Sequence, residues 1–266
     1  MNLVHLLGIM TMTIFSLARK HKSRGIWSLT LARRLSTSDG LSTSNTLSTL
    51  TSAASSLLQD PSLIPKRGTS NTFPVYDPAD PESLIAEVPK MGKLDAQAAI
   101  QQSHGVLPKW RDETTAAHRA FLLQQWSSLI KQNAQDLATI MTLEAGKPLA
   151  ESLGEVNYAA SFLDYYAAEA IRPTGAGGGF LAPSPFAAST GAPRGQIMAI
   201  QQAIGVTALI TPWNFPSAMI TRKVGPALAA GCTVVVKPSE LTPLSAMALQ
   251  TLADRAGIPP YVVQIL

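Results

Sequence analysis

From Lys93 onward, apolar residues recur three and four positions apart over 94–102, 118–133, 134–145 and 150–171, as in Phe121, Leu122, Trp126, Leu129 and Ile130. That period predicts four helices, each with one apolar face. Gly146-Lys147-Pro148 separates the last two: the glycine supplies a stop and the proline cannot continue the hydrogen-bond ladder. Before the helices, 73–78 and 84–89 read as two short strands joined by a Pro/Asp turn, a predicted hairpin. After them, 196–202 has an extended pattern, read as an edge strand. The rhythm then changes again. A strand over 206–210 leads to a helix over 218–230 ended by Gly231, a strand over 233–236 and a second helix, with Thr242 as its cap and Pro243 in its first turn. Gly257-Ile258-Pro259-Pro260 closes that helix and 262–266 begins a third strand. Two successive strand–helix–strand crossovers make a parallel sheet with right-handed connections. The expected fold is α/β: a helical layer, the first strands of a doubly wound parallel nucleotide-binding sheet, and small antiparallel strands.

Composition adds domain boundaries. With 266 residues, 46% hydrophobic and 14% charged, the chain has ample material for a packed core. The formal charge of +4 is unevenly placed: 1–38 holds Arg19, Lys20, Lys22, Arg24, Arg33 and Arg34 and no acid, leaving 15 Lys and Arg against 17 Asp and Glu elsewhere. The remainder is close to neutral, so no basic face is expected on the folded domain and nucleic-acid binding is not predicted. An acid-free basic segment running into Ser/Thr-rich sequence suits a mitochondrial transit peptide over 1–38, hence a matrix location. The competing reading, a signal peptide or anchor over 3–18, suffers because its basic residues follow the apolar run and the run is short for a bilayer. Residues 39–72 read as a mobile Ser/Thr linker, and 73–266 as the folded domain. One cysteine rules out an internal disulfide framework.

Ligands of open parallel sheets bind beyond the carboxyl ends of the strands. Two unusual hexapeptides fall there: Thr211-Pro212-Trp213-Asn214-Phe215-Pro216 and Lys237-Pro238-Ser239-Glu240-Leu241-Thr242. Asn214 offers an amide donor on a turn clamped by two prolines, suited to an oxygen that becomes negative during reaction, with helix capping as the bland alternative. Lys237 and Glu240 offer a donor and an acceptor suited to ribose hydroxyls. The run Gly175-Ala176-Gly177-Gly178-Gly179, by contrast, lacks the strand before and helix after that would aim its amides at a phosphate. His104 and His118 have no partners at metal-ligand spacing, and Trp110 and Trp126 read as core or interface aromatics. Cys232 lies between a helix-ending glycine and a buried strand, the setting of a small apolar side chain and not of a nucleophile.

The string from Ile210 to Pro238, with Thr211-Pro212-Trp213-Asn214-Phe215-Pro216, Arg222-Lys223 and Val236-Lys237-Pro238 within it, resembles the aldehyde dehydrogenase superfamily, and within it the succinate-semialdehyde dehydrogenases. Weaker similarity extends through Glu144-Ala145-Gly146-Lys147-Pro148 back to Phe73-Pro74-Val75, so it covers nearly everything from residue 72 onward. The resemblance implies NAD as cofactor, with NADP possible, and oxidation of succinate semialdehyde to succinate in 4-aminobutyrate degradation. It implies Asn214 as donor to the aldehyde oxygen and Arg222 as the partner of the substrate carboxylate. Thr211, Pro212 and Trp213 would be cofactor-binding, Trp213 lining the nicotinamide end, and Lys237, Pro238, Ser239 and Glu240 would meet the adenosine ribose. It further implies a homo-oligomer for a full-length member, with 73–89 and 196–202 as oligomerisation strands. Lys223 reads as an ordinary solvated helix residue. The family's nucleophilic cysteine, general base and pyrophosphate turn have no counterpart in this sequence, so the 266-residue chain is expected to bind without turning over. Two alternatives stand beside this reading: a non-catalytic cofactor-binding or subunit-interface module, and a dehydrogenase of another aldehyde.

Overall fold

The computed structural model describes residues 71–172, 179–186, 191 and 195–266. The expected transit peptide and its anchor alternative, nearly all of the Ser/Thr linker and most of the glycine run lie outside the described residues.

Strands β1 (Thr72–Asp77) and β2 (Asp80–Pro89) form an antiparallel hairpin that buries Val75 and Val88. Four helices follow: α1 (Lys93–Asp112), α2 (Ala116–Gln132), α3 (Ala134–Ala145) and α4 (Leu149–Ile171). Thr115 caps α2 by accepting the His118 N–H at 3.1 Å, and α3 ends at Gly146, whose φ of 69° suits glycine. Helix α1 is twice as long as the sequence suggests, running through Gly105 and Pro108. Its buried stripe, Ala99, Ser103, Leu107 and Trp110, continues past both breakers, so packing overrides local propensity. The Gly/Ala/Pro stretch also departs from expectation. Residues Gly179–Pro183 are a strand, β3, paired antiparallel with β4 (Gln196–Ile200), so the latter is half of a hairpin and not a lone edge strand.

The centre is the parallel sheet of β5 (Val206–Ile210), β6 (Thr233–Lys237) and β7 (Val263–Ile265), in the order β5-β6-β7, connected through α5 (Ala218–Ala229) and α6 (Pro243–Arg255). Strand β6 is buried from Thr233 to Val236, which requires cover on both faces. Register assigns the faces. The Gln264 side chain donates to Ala99 O (2.6 Å) and Ser103 Oγ (2.9 Å) of α1, so its partner Val235 faces α1 as well. Val234 and Val236 then face the opposite side, where α5 and α6 run, with α2 and α4 packed outside them. The Thr233 hydroxyl also donates to Ser103 O at 3.2 Å, tying the start of β6 to α1. Trp110, Trp126, Leu123, Ile130, Leu163, Ile220, Leu228 and Leu249 are fully buried in the core; Trp110 and Trp126 are core aromatics as expected, and His104 and His118 lie at the surface.

Candidate active site

Strands β5 and β6 end in the two predicted hexapeptides, and one main-chain bond joins them: Thr211 N–H donates to Lys237 O at 3.2 Å. Thr211 is buried, Pro238 is buried and Ser239 half-buried, so the two turns are fixed at their bases. Their tips are open. Ile210, Trp213, Phe215 and Leu241 expose large apolar surfaces on this rim, an unusual concentration for a polar loop region. The Lys237 ammonium donates to Pro238 O at 3.2 Å and lies 3.5 Å from a Glu240 carboxylate oxygen, both side chains mostly exposed. Glu240's own backbone N–H, and then the Lys237 charge, hold its carboxyl below the usual range. An exposed pair of this kind contributes little to stability, which leaves both groups ready to exchange partners. Ser239 Oγ accepts the Leu241 N–H at 3.2 Å, shaping the turn.

Asn214 lies on an open cleft of about 530 Å³, lined by Lys147, Glu151, Gly154, Glu155, Tyr158 and Phe215. It does not cap α5. That helix begins after Ser217, and the N–H groups of Ser217 (3.0 Å) and Ala218 (3.2 Å) donate to the Glu155 carboxylate of α4. Thr242 likewise fails to cap α6; the Glu144 carboxylate of α3 accepts the Leu244 (2.7 Å) and Ser245 (2.8 Å) N–H groups instead. Both crossover helices thus carry a buried carboxylate where doubly wound sheets often hold a phosphate. Burial pushes the Glu144 carboxyl up to about 7, outweighing those bonds, and nearby Glu155 adds to the shift.

Arg222, on α5, projects over the Phe162 ring of α4 (5.8 Å to its centroid) with Nη1 3.8 Å from Met219 Sδ, and has no acidic partner among the described residues. Phe162 in turn packs on Tyr158 with ring centroids 4.6 Å apart, and Tyr158 lines the Asn214 cleft. Asn214 and Arg222 therefore border one aromatic face of α4. Lys223 is not a freely solvated side chain: its ammonium donates to Ile210 O at 2.7 Å, closing the end of β5. Cys232 is buried between Gly231 and β6, away from these groups, as the sequence indicates. Sequence reasoning overlooked Lys147, Glu155, Tyr158, Phe162 and Glu144 as contributors. The two glutamates carried a usable signal, since each falls among the mainly apolar buried positions of its helix.

A parallel sheet wound on both faces by helices, with two shaped turns meeting at the carboxyl ends of adjacent strands, defines a doubly wound nucleotide-binding α/β domain. The chain belongs to the aldehyde dehydrogenase family, whose model matches residues 66–266. It is 51% identical over 195 residues to a glutarate-semialdehyde dehydrogenase of Pseudomonas aeruginosa, covering 73% of this chain and 38% of that protein. It is 48% identical over 195 residues to human mitochondrial succinate-semialdehyde dehydrogenase, covering 73% of this chain and 34% of that one. Among solved structures, a succinate-semialdehyde dehydrogenase from Burkholderia pseudomallei superposes with a TM-score of 0.70 at 44% identity, covering 78% of this chain and 43% of that chain. The chain thus spans well under half the length of these relatives.

Proposed function

We propose that this chain carries the cofactor-binding and substrate-orienting groups of an NAD(P)-dependent dehydrogenase of an aldehyde bearing a carboxylate, succinate semialdehyde being the first candidate. The observation that carries this reading is Arg222: a guanidinium with no acidic partner among the described residues, held over an aromatic ring beside the cleft of Asn214. Its planar fork suits a carboxylate at the far end of a short aldehyde. The names of the relatives, a glutarate and a succinate semialdehyde, share that far carboxylate and support the same chemistry. Asn214 would donate to the aldehyde oxygen as it gains negative charge.

The strand-end groups fit the ribose of a nicotinamide dinucleotide. Lys237 supplies a donor and Glu240 an acceptor 3.5 Å apart, beside exposed apolar Ile210, Trp213 and Leu241 able to cover rings. Its diphosphate finds no place at the starts of α5 and α6, where Glu155 and Glu144 already take the N–H groups. Bound there, such a cofactor supplies a hydride acceptor. The ionised Glu240 opposes a 2′-phosphate and so favours NAD over NADP. Thiol attack has no candidate, because the sole cysteine is buried. The basic, acid-free segment 1–38 and the mitochondrial human relative support a matrix location, and the two hairpins support self-association.

Calorimetric titration of purified 1–266 tests this reading. NAD should bind, Lys237→Met should weaken it about tenfold, the worth of one charge-assisted hydrogen bond, and added succinate semialdehyde should yield no reduced cofactor. Absence of NAD binding, or sustained turnover that survives Cys232→Ala, overturns it.

A further inference from the structure

The cleft of Asn214 is bordered by an ion pair that neither the cofactor groups nor Arg222 require. Lys147, next after the glycine that ends α3, bonds the Glu155 carboxylate of α4, with the two side chains 15% and 1% exposed. A pair so far out of water persists only where its remaining hydrogen-bonding capacity is met. Here the turn after β5 meets it. One Glu155 oxygen accepts the Ser217 and Ala218 N–H groups, while the Lys147 ammonium also donates to the main-chain oxygen of Asn214 at 3.1 Å and lies 4.3 Å from the Phe215 ring centroid.

Helix capping accounts for only half of this arrangement. Glu155 alone satisfies the start of α5, whereas Lys147 touches the turn itself. Pro212 and Pro216 fix φ at their own positions, so the torsional freedom of the turn lies at 213–215. Lys147 engages two of those three residues. We propose that the Lys147–Glu155 pair is a positioning device for Asn214: Glu155 anchors the helix side of the turn, and Lys147 locks the backbone that carries the asparagine amide. The functional meaning rests on the reading of Asn214 as the oxygen donor; the mechanical claim does not.

The experiment is NMR of the ¹⁵N-labelled 266-residue chain without ligand. In Lys147→Met the backbone amide signals of Asn214 and Phe215 should shift, because the carbonyl between them loses its ammonium partner and the Phe215 ring its cation. Hydrogen exchange at the Ser217 and Ala218 amides, which Glu155 holds, should rise roughly tenfold or more, as for loss of one charge-assisted bond. Exchange at Leu244 and Ser245, held by Glu144 on the other helix, should stay at the native rate. Lys147→Arg should restore the Asn214 signals, and Lys147→Gln should reproduce the defect in milder form, giving a second reading should the methionine variant not fold. Unchanged Asn214 signals in either neutral variant, or exchange rising equally at Leu244 and Ser245, overturns the proposal. Since no ligand is added, a failed cofactor titration refutes the proposed function without touching this result.

Discussion

Arg222 shows how much one side chain decides. An exposed arginine on a helix ordinarily needs no explanation, and in the sequence only the family resemblance singles this one out. Its surroundings change that: the guanidinium lies over Phe162, whose neighbour Tyr158 lines the cleft of Asn214, and no acid among the described residues neutralises it. If it recognises the far carboxylate, Arg222→Leu should weaken succinate binding by roughly 10- to 100-fold, the worth of a charge-assisted hydrogen bond, and Arg222→Lys by less. Titration of succinate into the purified variants measures this; an unchanged affinity in Arg222→Leu removes the residue from the site. NAD affinity should hold in both, because Lys237 and Glu240 lie on the other turn. Cys232 makes the converse case. A lone thiol invites a catalytic role, yet its burial between Gly231 and β6 leaves it only a packing role, and this was readable from the helix-ending Gly231 before it and the valine strand after it.

At the scale of elements, the parallel crossovers were legible because each signal is local: Gly231 ends α5, Pro243 opens α6 and three successive valines mark β6. What was not legible depends on distant partners. The caps of α5 and α6 are Glu155 and Glu144, 62 and 100 residues away in sequence, so Thr242 looked like the cap it is not. Helix α1 passes through Pro108 because its buried stripe rests on the sheet, and β3 exists because β4 pairs with it. The Glu144 cap has a measurable consequence. Its carboxyl sits near pH 7 in the folded chain against an ordinary 4.5, raised first by burial. Between those values the folded form holds a proton that the unfolded form releases, so this contribution is complete below pH 4.5 and is lost as pH rises through 7. The loss is ~3 kcal/mol. Denaturant unfolding at pH 5 and pH 7.5 should show wild-type stability falling with pH, and Glu144→Gln, which keeps one acceptor but cannot ionise, should flatten that slope. An unaltered slope in the glutamine variant would place the titration elsewhere.

For the whole molecule, the β3–β4 hairpin poses a question the rest of the fold does not answer. The β1–β2 hairpin buries Val75 and Val88 and contacts α3. On β3–β4 the register pairs Leu181 with Met198 and Gly179 with Ile200, so Leu181, Met198 and Ile200 share one face, exposed by 65%, 67% and 63%. A two-stranded ribbon with an uncovered apolar face is marginal on its own in water, and its unpaired edges are templates for further strands. Gly179 is bound to this pairing, since a Cβ there would meet Ala199 O at 2.4 Å. A second copy of the chain offers the same face and the same edges, and self-pairing is the commonest closed arrangement of soluble oligomers. Sedimentation of the purified chain at micromolar concentration should therefore show a species heavier than the 28.2 kDa monomer. Leu181→Glu combined with Met198→Glu should return it to monomer while leaving NAD binding intact, because the cofactor groups sit on the turns after β5 and β6. A chain that is monomeric at all concentrations would leave this face to another partner, and a double variant that stays associated would move the contact to the β1–β2 hairpin.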